Sequence, residues 1–354
     1  MRTKQITSRR GFLRQCGTGL AAAAAAPTIL GASDKSGIKR PIVGSGAFTY
    51  EVYHDWGELP AGIKYGNTHG VCEDNHGNIY VHHTVHATSE RHDTMVVFDA
   101  KGKFVRSWGS EFEGGAHGLH IRREGRDEFL YLCDTKRALV TKVTPKGEQV
   151  WQLGYPKESA RYPVNPDGTP GIKYSPTNVA IAPSGDIYVA DGYGSSYINQ
   201  YDNAGRYIRT FGGKGQEAGQ LDCPHGLMVD TRSEIPILMV ADRSNKRLQT
   251  FSLAGEHRGF VPDFPAPCHF SERHGVLVVP DLFARVTLID RANRVVAQLG
   301  DAGVDSWKPI RGGPRENFPI GKFVCPHSAC FDHEGNIFVV EWVEVGRVTK
   351  LKKV

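Results

Sequence analysis

The chain has 354 residues, of which 41 are glycine and 20 are proline, a composition typical of globular proteins with many turns. Its formal charge of +5 arises at the N-terminus, because residues 1–32 hold five of the 43 basic residues and no acidic one. The remaining basic residues equal the 38 acidic ones, which argues against nucleic acid as the main partner, since phosphate backbones require a positive surface. No apolar stretch approaches the roughly 18 residues of a membrane span.

The N-terminus has the pattern of an export signal. Arg9 and Arg10 precede a mild apolar run over residues 17–26. A basic segment followed by a short apolar run indicates a signal peptide, and the arginine pair resembles a twin-arginine signal. We predict a signal over 1–32, with its cleavage position open, and a periplasmic or secreted protein. Six of the seven cysteines lie beyond the signal, and their spacing assigns no disulfide pairing.

Residues 33–354 contain internal repeats. Each unit combines a glycine-, asparagine- or aspartate-rich turn with runs of β-branched and aromatic residues, which predicts four short strands. The units recur at about 43 to 60 residues, the spacing of propeller blades. Their opening positions are His69, His117, Thr177, His225, Cys268 and His327. The repeats therefore predict an all-β, six-bladed propeller, and their sequence resembles the NHL repeat family.

The sixth unit has only three strands, because the chain ends shortly after Leu351. A segment before the first unit, residues 48–57, ends in Trp56-Gly57 like the outermost strands of other units. We predict that this N-terminal strand completes the last blade. Closing the ring in this way removes an exposed sheet edge.

Four of the six opening positions are histidine, and in a propeller these positions line the central channel. His117, His225 and His327 belong to alternate blades, about 120° apart in a six-bladed ring. Three such imidazoles leave a fourth coordination position open, as in catalytic zinc sites, although copper, iron or nickel also bind imidazole. His69 is a possible fourth metal ligand or a hydrogen-bond donor to the ligands. In the fifth unit, His269 could line the channel in place of its neighbour Cys268.

A second layer of residues ends the second strand of each unit on the same face: His82 and His83, Asp134, Asp191, Asp242, Asp281 and Glu341. These carboxylates could orient ligand histidines, but we favour local hydrogen bonding within each blade. Tyr193 and Arg243 follow two of them and can reach the mouth of the channel. Two long connections, 155–175 and 301–324, share this face and either rim a pocket for an anionic or peptidic ligand or form solvated surface.

With these residues placed, the chain resembles the lyase domain of peptidylglycine α-amidating enzymes. The segments that carry the resemblance are Ala116-His117-Gly118-Leu119, Pro224-His225-Gly226-Leu227, Pro326-His327-Ser328, Ala190-Asp191-Gly192-Tyr193 and Val240-Ala241-Asp242-Arg243. The resemblance implies a three-histidine zinc site that converts a peptidyl-α-hydroxyglycine to a peptide amide and glyoxylate. It also implies Tyr193 as general base and Arg243 as stabiliser of negative charge.

Two positions depart from the family pattern. His83 stands where the family has an arginine, and Ser328 stands where a calcium-binding aspartate follows the third histidine, so calcium is doubtful. We expect an exported, metal-dependent lyase that cleaves the C–N bond of a carbinolamide and takes a small-molecule or peptide substrate. The alternative is a non-catalytic NHL propeller that binds a protein, peptide or glycan on its upper face, where the innermost strands begin.

Overall fold

The computed structural model describes residues 31–33 and 39–354, so the predicted signal arginines Arg9 and Arg10 lie outside the described residues. Antiparallel strands form six sheets that are arranged around a central channel. The prediction of an all-β, six-bladed propeller is confirmed. Within the described ranges the helical elements are two 3₁₀ turns, Ser110–Phe112 and Arg315–Asn317, and no helix there is long and apolar enough to cross a membrane.

The strands follow the repeat units in order. The first three are β1 (Gly31–Ser33), β2 (Lys39–Ser45) and β3 (Phe48–His54). Blade 1 contains β4 (Tyr65–Glu73), β5 (Ile79–Val85), β6 (Met95–Phe98) and β7 (Phe104–Trp108). Blade 2 contains β8 (Ala116–Glu124), β9 (Asp127–Asp134), β10 (Leu139–Val143) and β11 (Gln149–Leu153). Blade 3 contains β12 (Asn178–Ile181), β13 (Ile187–Ala190), β14 (Tyr197–Tyr201) and β15 (Tyr207–Gly212).

The remaining blades have the same design. Blade 4 contains β16 (Pro224–Asp230), β17 (Ile237–Asp242), β18 (Arg247–Ser252) and β19 (His257–Val261). Blade 5 contains β20 (Ser271–Arg273), β21 (Val276–Asp281), β22 (Arg285–Ile289) and β23 (Val295–Leu299). Blade 6 contains β24 (Pro326–Phe331), β25 (Ile337–Glu341) and β26 (Arg347–Lys353).

The hydrophobic core lies between the faces of neighbouring blades. Between blades 3 and 4, for example, Tyr188 and Phe251 are fully buried and share one cluster with Leu227. The second strands are buried along nearly their whole length, as in β13, whereas the outermost strands are partly exposed. This decrease in burial from the second strand to the outermost strand explains why the second strands are continuous apolar runs in the sequence. The six cysteines of the described chain are buried thiols without disulfides.

The N-terminal strand closes the ring as predicted. Strand β26 pairs with β3, placing Leu351 opposite Val52 and Thr349 opposite His54. The structure adds two strands that the repeats did not predict, because β2 pairs with β3 and β1 with β2. The last sheet therefore has six strands, in the order β1-β2-β3-β26-β25-β24.

Candidate metal and catalytic site

The channel-lining histidines occupy one structural position in blades 2, 4 and 6. His117, His225 and His327 are each the second residue of an innermost strand, β8, β16 or β24. The strand register shifts at this point in all three blades, and such irregularities redirect side chains. The imidazoles thereby turn into the channel instead of packing between blades.

The glycine that follows two of these histidines is required by the next blade. A Cβ atom on Gly118 would lie 2.4 Å from the carbonyl oxygen of Thr177, and one on Gly226 would lie 2.4 Å from that of Cys268. No real side chain tolerates such a distance to backbone, so only glycine fits there. The His-Gly pairs of the sequence thus mark a close approach between the innermost strands of neighbouring blades.

The same approach fixes the orientation of the three imidazoles. The Nδ1 atoms of His117, His225 and His327 lie 2.8, 2.9 and 2.8 Å from the carbonyl oxygens of Thr177, Cys268 and His69, respectively. Each acceptor is the opening position of the next blade. Because a carbonyl can only accept, Nδ1 carries the proton in all three rings and Nε2 keeps its lone pair. Backbone carbonyls are common partners of metal-binding histidines and set this tautomer.

The three rings face one another at the channel axis. Their centroids form a nearly equilateral triangle with sides of 4.9, 4.7 and 4.9 Å. All three residues are at most 3% exposed, and burial lowers the pKa of each imidazole, that of His117 to about 3. Neutral imidazoles with converging lone pairs are the form in which histidine binds metal ions, so this donor set fits a transition metal.

His69 lies beside this triangle. Its ring centroid is 4.8 Å from that of His117 and 4.6 Å from that of His327, and its Nδ1 is 3.4 Å from His327 Nε2. Ligand nitrogens of His69, His117 and His327 all lie within 4.8 Å of one another, a spacing that could hold a metal ion. Spacing therefore selects His69 as the third ligand, whereas the hydrogen bond to backbone selects His225. We favour His225 as the third ligand, because its hydrogen bond to the Cys268 carbonyl fixes the tautomer that leaves Nε2 able to bind a metal ion.

Tyr193 stands over the histidines. Its hydroxyl oxygen is 3.2 Å from His117 Nε2 and 3.1 Å from His225 Nε2, so both nitrogens point toward one place. Arg243 donates from Nη1 to the same hydroxyl at 3.4 Å, and its guanidinium carbon is 5.2 Å from the centre of the Tyr193 ring. Burial raises the pKa of Tyr193, and the positive charge of Arg243 opposes that shift.

Arg243 has an unusual environment for a buried cation. Its positive charge opposes the rise that burial causes in the pKa of the neighbouring Cys223 and Cys268 thiols. Among the residues that the structure describes, its main electrostatic neighbours are these thiols and the Tyr193 phenol rather than a carboxylate. The arginine is therefore available to negative charge on a bound ligand.

The second layer has the local structural role that we favoured over the orientation of histidines. The Asp191 carboxylate accepts the backbone N–H groups of Ser175 and Ser195, each at 2.7 Å. Glu341 accepts those of Val324 and Cys325. Because the three histidines donate to carbonyl groups instead, the hypothesis that carboxylates orient them is wrong for this chain. In blades 3 and 6 these carboxylates thus hold the connections that lead into the innermost strands.

Two further histidines were candidates from the sequence and do not join the cluster. His269 lies one residue further along the channel, and burial lowers its pKa to about 4 against the opposing effect of the Leu119 and Ala329 carbonyls. His83 is fully buried, with its Nδ1 2.8 Å from the Thr84 carbonyl oxygen and its ring against Tyr65. Its Nε2 is buried without a hydrogen-bond partner.

Sequence reasoning missed Trp342, which occupies in blade 6 the place that Arg243 has in blade 4. Each residue directly follows the acidic residue that ends the second strand. Its backbone N–H donates to the carbonyl two residues before the channel histidine, to Cys325 for Trp342 and to Cys223 for Arg243. Aligning the units at this position would have found Trp342 from the sequence.

These features define a six-bladed propeller with a buried histidine cluster at its axis, flanked by a tyrosine and an arginine. No family model matches the chain. It is 28% identical over 232 residues to peptidyl-alpha-hydroxyglycine alpha-amidating lyase 1 of Drosophila melanogaster, which covers 57% of this chain and 40% of the relative. It is 27% identical over 279 residues to lyase 2 of that organism, covering 77% of this chain and 62% of the relative. The matched regions thus span less than two thirds of these relatives' length.

Solved structures agree on the fold. A gluconolactonase from Xanthomonas campestris superposes with a TM-score of 0.57 over 96% of this chain and 99% of its own, at 14% sequence identity. Identity this low supports the propeller architecture alone.

Proposed function

We propose that this protein is a metal-dependent lyase that cleaves the C–N bond of a carbinolamide of the peptidyl-α-hydroxyglycine type. The observation that carries the proposal is the set of three buried histidines, His117, His225 and His327, whose rings meet at the channel axis and whose Nδ1 atoms donate to backbone. The Nε2 atoms of His117 and His225 both lie against the Tyr193 hydroxyl. The names of the two amidating-lyase relatives support the reaction class.

The reaction needs a base, a way to stabilise negative charge and an electrophile. When bound, a divalent transition metal, with zinc preferred, would polarise the substrate hydroxyl and lower its pKa. Tyr193 takes the hydroxyl proton as a phenolate, the form that burial disfavours and the positive charge of Arg243 favours. The oxygen electron pair then forms the C=O bond of the aldehyde product, and the C–N bond electrons leave with the amide nitrogen, which receives the proton that Tyr193 took. Arg243 stabilises the negative charge that develops during these steps.

The donor set also indicates which metals to expect. Imidazole nitrogen suits zinc, copper, iron and nickel, whereas calcium prefers oxygen ligands. Ser328, directly after the third histidine, is buried and brings no carboxylate. We therefore propose a transition metal and no calcium at this position.

Turnover of a simple carbinolamide tests the proposal. Purified protein loaded with zinc is mixed with N-benzoyl-α-hydroxyglycine, and benzamide and glyoxylate are measured against time. We expect both products in equal amounts, loss of activity on chelation and recovery on adding zinc back. The absence of turnover above the spontaneous rate with a full metal site would reject the lyase and favour the non-catalytic propeller. Export by the twin-arginine route is part of the proposal and has its own test below.

A further inference from the structure

A repeated backbone contact defines a ring of positions around the mouth of the channel. In blades 2 to 6, the residue at this position donates its N–H to the carbonyl two residues before the channel-lining residue, over 2.8 to 3.3 Å. The five residues are Thr135, Tyr193, Arg243, Leu282 and Trp342. Trp342 thus occupies in blade 6 the backbone position that Tyr193 and Arg243 occupy in blades 3 and 4.

A second arginine is fixed on Trp342. Arg311 comes from the long connection between blades 5 and 6, and its guanidinium carbon lies 3.4 Å from the centre of the Trp342 ring. Its Nε donates to the Trp342 carbonyl and its Nη2 to Asn67 Oδ1, both at 3.1 Å. Asn67 precedes His69 by two residues on β4. The cation is thus held between Trp342 of blade 6 and the start of β4 in blade 1, the strand that carries His69.

The carboxylate that faces Arg311 is held loosely. Glu344 Oε1 lies 3.7 Å from Arg311 Nη1, and the Glu344 side chain is 59% exposed, against 19% for Arg311. Exposed ion pairs of this length contribute little free energy. A guanidinium fixed by stacking and two hydrogen bonds is well suited to bind a planar carboxylate. A carboxylate from a ligand can therefore replace Glu344 at Nη1 without disturbing the groups that position the arginine.

We propose that Arg311, supported by Trp342 and Asn67, is a second anion-binding residue of this site and selects ligands that carry a carboxylate close to the reacting carbon. The inference rests on the proposed function and deepens it by naming the residue that binds the substrate carboxylate. It assigns Arg311 a role in binding, whereas Arg243 acts where charge develops.

Binding of two matched probes tests the role of Arg311 without requiring turnover. N-acetylglycine and N-acetylglycinamide differ only in replacing a carboxylate by an amide, and each is titrated into the zinc-loaded protein by calorimetry. A hydrogen bond to a charged group contributes about 1.5–3 kcal/mol, so Arg311→Gln should weaken N-acetylglycine about 10- to 100-fold and leave N-acetylglycinamide unchanged. Glu344→Gln should tighten N-acetylglycine, because it removes the competing carboxylate.

Two controls keep the test decisive. Arg126, exposed in the turn between β8 and β9, is an arginine outside the site, and Arg126→Gln should leave both affinities unchanged. Should Arg311→Gln fail to fold, Arg311→Lys keeps the charge but not the planar fork, and it should weaken N-acetylglycine alone.

The outcomes separate this inference from the proposed function. Equal binding of N-acetylglycine to wild type and to the Arg311 variants, or no binding to wild type at millimolar concentration, overturns the inference even if carbinolamides are turned over. Arg311-dependent binding without any turnover sustains the inference and rejects the lyase.

Discussion

Replacing Tyr193 by phenylalanine removes a single oxygen from the centre of the site. That oxygen lies 3.2 and 3.1 Å from the Nε2 atoms of His117 and His225 and within reach of Arg243. The ring keeps its edge contact with His117 and its tilted contact with His225, so Tyr193→Phe alters proton transfer while the packing stays the same.

The size of the effect follows from the role of the hydroxyl. A positioned general base contributes about 10²–10⁴-fold to a rate, so kcat on N-benzoyl-α-hydroxyglycine should fall at least 100-fold. Metal content should not change, because the three Nε2 atoms remain. Arg243→Ala removes an electrostatic stabiliser and should lower the rate about 10²–10³-fold, again with the metal retained.

Tyr197 provides a matched control. It lies four residues further along the same segment, is partly exposed, and packs edge-on against Tyr162 instead of facing the histidines. Tyr197→Phe should therefore keep wild-type kcat. The assay measures glyoxylate release and metal content on the same samples. Full activity in Tyr193→Phe would refute the assignment of this tyrosine as the base.

Three further predictions concern stability and export. Leu351 is fully buried beside the closing strand, and Leu351→Ala should lower the free energy of unfolding by about 2–5 kcal/mol. An unchanged urea midpoint would contradict ring closure. The control is Ile235→Ala, because Ile235 is 77% exposed. Burial and two nearby arginines lower the pKa of His54 to about 3. Because His54 binds a proton in the unfolded chain and not in the folded one, it contributes about 1.4 kcal/mol per pH unit to the loss of stability below about pH 6.5. His54→Gln should reduce the measured slope by that amount, and the other buried histidines should account for the slope that remains. Replacing Arg9 and Arg10 by lysine should leave precursor in the cytoplasm, and normal export of this variant would reject the twin-arginine interpretation.

The blade count and ring closure were predictable because they depend on local sequence signals. The six units share one order of turns and apolar runs, and Trp56-Gly57 marks a terminal strand by the same pattern. The pairing of β2 with β3 was not predictable, since Lys39–Ser45 lies outside the repeat. Its partner is specified by a hairpin that has no counterpart in the other blades.

The candidate site was predictable only in part. The three histidines share a register in their repeats, so their convergence follows from the symmetry of the fold. The acceptor for each Nδ1 is a carbonyl of another blade, and its distance depends on how closely two blades pack at Gly118 or Gly226. The stacking of Arg311 on Trp342 depends on the path of a long connection without periodicity, which the sequence pattern does not define.

The metal content of single histidine variants tests the central claim most directly. Elemental analysis of purified wild type should find about one transition-metal ion per chain. His117→Ala, His225→Ala and His327→Ala should each lose the ion, whereas His69→Ala should retain most of it. Full occupancy in His225→Ala together with loss in His69→Ala would contradict the choice of ligands by their hydrogen bonds to backbone. Full occupancy in the triple variant of His117, His225 and His327 would contradict the metal site itself.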